Sequence, residues 1–176
     1  MNYGTAVRST IAISLLAACA TSAVADPDPA VLKSLADGAS KRVYVLVRDG
    51  VEVGDAGSRH KLAFVPLNDW VWVGEKYSCP PDIALAPEGD ILVTSNVLPV
   101  VWRIDRRTLA IKAHKPVLEQ DQGRDIGFIG IRWSRNLRAY VALSASGATW
   151  HLDPSLSRGR QVAGAIAGPL ARPCQG

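Results

Sequence analysis

The 176 residues suit one domain with a sizeable core. The net charge of +4 is spread along the chain without a run of Lys or Arg, so the composition points neither to nucleic acid nor to a membrane surface as partner. No Gly-x-Ser-x-Gly, His-Glu-x-x-His or Gly-rich phosphate loop is present, and no cofactor is expected.

The first 25 residues read as a secretory signal peptide. Arg8 supplies the positive region, Ile11 to Ala18 the apolar core, and Ala23-Val24-Ala25 a small-x-small cleavage site, followed by Asp26-Pro27-Asp28-Pro29. A competing site exists: Leu16-Ala17-Ala18-Cys19 resembles the lipobox of bacterial lipoproteins, with Cys19 as the lipidated residue. The order of apolar run, small-residue region and Ala-Val-Ala favours cleavage after Ala25, which leaves 151 of the 176 residues for one domain, 26–176, in the periplasm or outside the cell. The apolar run is too short to span a membrane comfortably, and nothing later is longer, so no integral span is expected. With Cys19 removed or lipidated, Cys79 and Cys174 remain as an expected disulfide in an oxidising compartment, closing a loop of about 95 residues.

In chain order, Asp28-Pro29 reads as the start of a short helix, with Val31, Leu32, Leu35 and Ala36 as its apolar stripe and Gly38 as its stop. From residue 42 the pattern is β. Val43–Val47, Leu62–Val65 and Trp70–Val73 are strand candidates, separated by Arg48-Asp49-Gly50, Asp55-Ala56-Gly57-Ser58 and Pro66–Asp69. Asp82–Ala86 and Ile91–Ser95 flank Pro87-Glu88-Gly89, which suits a type I turn. Val100–Asp105 alternates, with Val100, Trp102 and Ile104 on one face, and Leu109–His114 follows as an outer strand. Gly127–Trp133, Ala139–Leu143 and Ala148–Leu152 repeat the series, and the tail after Gly159 can supply a last edge strand.

The chain matches itself at an offset of 48: Trp102-Arg103-Ile104-Asp105 falls on Trp150-His151-Leu152-Asp153, and Leu92-Val93 on Tyr140-Val141. A weaker copy sets Arg42-Val43-Tyr44-Val45 against Arg138-Ala139-Tyr140-Val141. The stretches Pro87-Glu88-Gly89-Asp90-Ile91-Leu92-Val93-Thr94 and Val101-Trp102-Arg103-Ile104-Asp105 resemble the blades of NHL-type, YncE-like and gluconolactonase-type β-propellers. The resemblance covers about half of the domain and implies an all-β fold of about three antiparallel, propeller-like blades, in units of roughly 39–80, 81–124 and 125–170. A closed propeller needs at least about four blades. The expectation is therefore an incomplete ring, an open stack, half of an assembly closed by another chain, or a β-sandwich with a chance repeat.

The function expected is a non-enzymatic binding or assembly module of the bacterial envelope, contacting a protein partner or itself. Trp102 and Trp150 recur with the period and read as inter-sheet core, whereas Trp70 and Trp72 are candidates for an exposed aromatic patch. Arg103, Arg106 and Arg107, with Arg132, Arg135 and Arg138, form two basic clusters that suit an acidic partner or a solvated blade edge. Asp105 and Asp153 read as turn carboxylates, and His60, His114 and His151 lack metal-ligand spacing, so no metal site is expected. The alternative, implied by the resemblance, is a small periplasmic metal-dependent lactonase or hydrolase of gluconolactonase type. It would need a ring of Glu, Asn and Asp, for which Asn96 is one candidate.

Overall fold

A computed structural model describes residues 31–58, 60–74, 79–119 and 126–162. The signal segment 1–25 with Cys19, the start of the expected helix at 28–30, and Cys174 lie outside the described residues. Every regular element described is a β-strand, and the strands form three sheets, none of them closed. The first sheet is the meander β1 (Lys33–Asp37), β2 (Arg42–Val47), β3 (Gly50–Asp55) and β4 (Lys61–Pro66). The second is β5 (Ile83–Leu85), β6 (Ile91–Thr94), β7 (Val101–Ile104) and β8 (Ile111–His114). Strand β9 (Val117–Glu119) then crosses to the far edge of the third sheet. That sheet consists of β10 (Phe128–Ser134), β11 (Ala139–Ser144), β12 (Thr149–Leu152) and β13 (Arg158–Val162), with β9 parallel to β13. All other pairings are antiparallel.

The second sheet lies between the other two, which explains why Ile91, Leu92 and Val93 are all fully buried in a strand of only four residues. One face carries Ile91, Val93, Trp102 and Ile104 into a core shared with Tyr44, Leu46, Val51, Val53 and Val65 of the first sheet. Its other face carries Leu92 and Val101 into a core shared with Phe128, Ile131, Tyr140, Trp150 and Leu152 of the third. A strand buried on both faces loses the apolar–polar alternation of a half-exposed one. Trp102 and Trp150 are inter-sheet core, 4% and 2% exposed, as their periodicity predicts.

Local turn chemistry repeats three times. At the end of the third strand of each sheet an aspartate closes the turn into the fourth. Asp55 accepts from the N–H of Gly57 and Ser58 (3.0 and 2.7 Å), and Asp105 from those of Arg107 and Thr108 (2.8 and 2.7 Å). Asp153 accepts from the N–H of Ser157 (2.8 Å). These bonds favour the ionised carboxylate, and all three hold pKa values below the ordinary carboxylate range. For Asp55 and Asp105 the backbone donors Ser58 and Thr108 are the largest cause. For Asp153 partial burial is the largest single cause and opposes the shift, and the hydrogen bonds of Ser157, Ser155 and Arg158 together outweigh it. The turn between β5 and β6 closes with Gly89 N–H on the Ala86 carbonyl (2.9 Å), and Gly89 then takes φ of +90°, the left-handed residue of a three-residue hairpin.

Three expectations need correction. Residues 33–37 are strand, not helix: β1 pairs with β2 from Lys33↔Leu46 to Asp37↔Arg42. Asp37 serves the following turn by accepting from Ala39 N–H (3.0 Å) and the Ser40 hydroxyl. Val31, Leu32, Leu35 and Ala36 have helical spacing, but pairing along the whole of β2 outweighs a marginal helix. Residues 70–73 form no strand either, because Trp70 N–H closes a turn on the Leu67 carbonyl and the backbone of Val71 and Val73 is taken by side chains. Asn96 binds both N–H and carbonyl of Val73 (3.0 and 2.6 Å), and the Ser95 hydroxyl donates to the Val71 carbonyl. The repeat, finally, is not gapless. Trp102 pairs with Val93 and Trp150 pairs with Ala142, so the second strands match at 49 rather than 48, and Leu92 and Tyr140 face opposite ways. The weak copy at Tyr44 fails for the same reason: Tyr44 and Tyr140 both point at the second sheet, from opposite sides of it. The equivalents that pairing defines are Val43, Ile91 and Tyr140 on the second strands, and Asp55, Asp105 and Asp153 at the turns.

Candidate interaction surfaces

The superposed pairings single out the outer face of the first sheet. Val45↔Glu52 there corresponds to Val93↔Trp102 in the second sheet and Ala142↔Trp150 in the third. In the second and third sheets this row is core. In the first it faces away from the shared core: Val43 and Val45 are only half-buried and Phe64 is 42% exposed. A groove of about 330 Å³ runs over Val43, Val45, Glu52, Gly54 and Lys61. Lys61 pairs with Glu52 across it (2.5 Å) and stands 5.3 Å from the centre of the Phe64 ring. An exposed ion pair of this kind contributes about 1 kcal/mol at most.

A second surface opens at the turn end of the first two sheets. Ala39, Ser40, Arg42, Arg106 and Arg107 line a cleft of about 420 Å³. Arg42 donates from Nη1 to the Arg106 carbonyl (2.8 Å), which fixes its guanidinium across the junction. The Arg106 side chain lies over Gly89, where a Cβ would stand 2.7 Å from its Nη1. Asp37 lies nearby, its pKa lowered first by the Ser40 hydroxyl hydrogen bond and last by the charge of Arg106.

The first strands of the three sheets are joined by one side chain. Asp82, just before β5, is 3% exposed. It pairs with Lys33 of β1 through one oxygen and accepts from the Ile131 N–H of β10 through the other (2.9 Å). Its own N–H donates to the Thr94 hydroxyl (2.8 Å).

The sequence candidates are divided among different places. Trp70 is 8% exposed and belongs to the core between the first two sheets. Its indole N–H donates to the Thr94 carbonyl (2.9 Å) and its ring stacks on Trp72 at 5.9 Å. Trp72 is half-buried and donates to the Arg48 carbonyl (3.1 Å), so the pair caps the seam instead of forming an exposed aromatic patch. Arg103 faces the third sheet, paired with Glu88 and, through Nε, with Asp90 at 2.8 Å. Arg106 and Arg107 reach the cleft, and Arg135 and Arg138 are exposed on the β10–β11 turn, which does not line it. Arg42 is the residue that sequence reasoning missed. Its partner is 64 positions away, and the only local signal is an arginine at the first residue of a strand after a tight turn. Asn96 is buried, with its amide nitrogen on the carbonyls of Val73 and Cys79 and its oxygen on Val73 N–H, so its polar atoms are spent as a clamp and it does not fit the ligand role of the lactonase alternative. Among the described residues no three His, Cys, Asp or Glu side chains gather as for a metal ion, and no helix is long and apolar enough to cross a membrane.

His114 and His151 are pushed below the ordinary value of 6.5, mainly by burial, with Lys112 and Arg103 adding for His114 and Arg160 for His151. An unfolded chain therefore binds protons that the folded chain refuses below pH 6.5. Stability against urea is expected to be constant above that pH and to fall between 6.5 and the lower folded values. A second loss follows below about 3.8, as the turn carboxylates protonate. A midpoint that holds steady from pH 7.5 to pH 5 contradicts the first step.

No family model matches the chain. A search of curated proteins also finds no match. Among solved structures it is similar to an extracellular domain of BT4673 from B. thetaiotaomicron, at 11% identity and a TM-score of 0.46. The likeness covers 69% of this chain and 15% of that one, and is too low to carry an argument about either fold or function.

Proposed function

We propose that the chain is an exported, non-enzymatic assembly module: three propeller-type blades that make half of a ring, closed by a second copy. The observation that carries this reading is the outer face of the first sheet. It holds the same pairing positions that are core in the other two, yet nothing among the described residues of the first sheet's neighbours covers it. Continuing the stack by the same face-to-face contact requires another sheet there, and two three-sheet chains related by a two-fold axis supply it at both ends. The leader 1–25, cleaved after Ala25, places the module in the periplasm or outside the cell, with lipidation of Cys19 as the alternative anchor. A Cys79–Cys174 bridge in that compartment is part of the same reading.

The test is light scattering on the protein purified from the envelope without reductant. Twice the chain mass is expected, and Val45→Asp, which puts a charge into the proposed contact, is expected to weaken association at least tenfold with unchanged circular dichroism. A wild-type monomer at micromolar concentration, or a Val45→Asp protein that still dimerises fully, overturns the closure. A stoichiometric complex with a different envelope protein does so as well.

A further inference from the structure

The cleft between the first two sheets is independent of that contact, since it lies at the turn end and not on the outer face. It brings together Arg42 from β2 with Arg106 and Arg107 from the β7–β8 turn. Among the described residues none of the three guanidinium groups has a carboxylate within ion-pair distance, whereas Lys33, Lys61 and Arg103 all do. Asp37 beneath the cleft is held by Ala39 and Ser40 and offsets part of the charge from a distance. The Ser40 hydroxyl and the Ala39 N–H are spent on Asp37, so the donors left to a ligand are guanidinium forks. Two of them are pre-set: Arg42 by its bond to the Arg106 carbonyl, Arg106 by packing on Gly89. Arginine forks fixed in place lose little entropy on binding and match planar oxyanions two bonds at a time.

We propose that this cleft binds an acidic peptide segment, with neighbouring carboxylates engaging Arg42, Arg106 and Arg107. The open, shallow shape favours an extended chain carrying several carboxylates over one enclosed anion. Gly89 is what admits Arg106 to the cleft floor, and any side chain at 89 would both displace the guanidinium and oppose the left-handed backbone.

The probe is a fluorescein-labelled hexaglutamate peptide, followed by anisotropy on the full chain at 20 and 150 mM salt. Saturable binding is expected, weakened at least tenfold in Arg42→Gln/Arg107→Glu and weakened by salt. Arg107→Glu alone, on an exposed side chain that makes no contact across the seam, is expected to lose at least threefold. Absence of binding, equal binding by the double variant, or binding only to vesicles of anionic lipid and not to the peptide overturns the proposal. The two readings fail separately: loss of peptide binding leaves the light-scattering mass unchanged, and a monomeric protein still presents the cleft.

Discussion

Gly127→Ala is expected to destabilise the fold by about 3 kcal/mol or more. A Cβ at 127 would stand 1.9 Å from the carbonyl carbon of Asn96, 2.0 Å from its oxygen and 2.3 Å from Val97 N. All three are backbone atoms, and that backbone cannot retreat. Asn96 is fastened through its side chain to Val73 and Cys79, and the Ser95 carbonyl accepts from Phe128 N–H at 2.6 Å. Gly127 itself is held by its carbonyl, which accepts from Ala145 N–H (2.9 Å). The crossing of the segment entering β10 under the β6–β7 loop therefore needs a residue without a side chain for reasons of space alone. Gly38→Ala is the control: nothing lies within 4 Å of its Cβ, and the urea midpoint is expected to move by no more than about 0.5 kcal/mol equivalent. Equal midpoints for the two variants would mean that the 127–96 crossing is not as close as described.

How much of this was legible in the sequence depends on how local the cause is. The hairpin turns were readable because each is made within five residues: Asp105 and Asp153 as turn carboxylates, Pro87-Glu88-Gly89 as a tight turn. Most strands of the second and third sheets were readable because short apolar runs between turn signals have few alternatives, but β9 was not, and it, rather than the tail after Gly159, forms the edge beside β13. Residues 31–37 were misread because Val31, Leu32, Leu35 and Ala36 satisfy both a helical stripe and a strand, and what decides is β2, whose order in the sheet the local pattern does not contain. The Trp70–Val73 segment looked like a strand by composition, but its backbone is claimed by Ser95 and Asn96, some 23 residues downstream. The surfaces were least legible. The outer face of the first sheet becomes notable only when its pairings are laid on those of its neighbours, since Glu52 and Trp102 share no chemistry that a repeat search would score. The arginine cleft exists only because two turns 64 residues apart meet.

Asp82→Ala is expected to cost about 3 kcal/mol, and Asp82→Asn only about 1 kcal/mol, because the two oxygens of Asp82 do unequal work. One oxygen faces Lys33, whose side chain is 45% exposed, so that pair is screened by water and contributes little. The other receives the buried N–H of Ile131, and removing it strands a buried donor between sheets. Alanine loses both partners and also the volume that spaces β1, β5 and β10. Asparagine keeps an acceptor for Ile131 and loses only the charge. Urea unfolding of both variants at pH 7, in 20 and 500 mM salt, separates the contributions. The asparagine deficit should shrink at high salt while the alanine deficit persists. If asparagine is as damaging as alanine, the Lys33 pair rather than the Ile131 bond carries the contribution of Asp82. The residue at 33 would then control the angle between the first two sheets, and with it the fit of the proposed second copy.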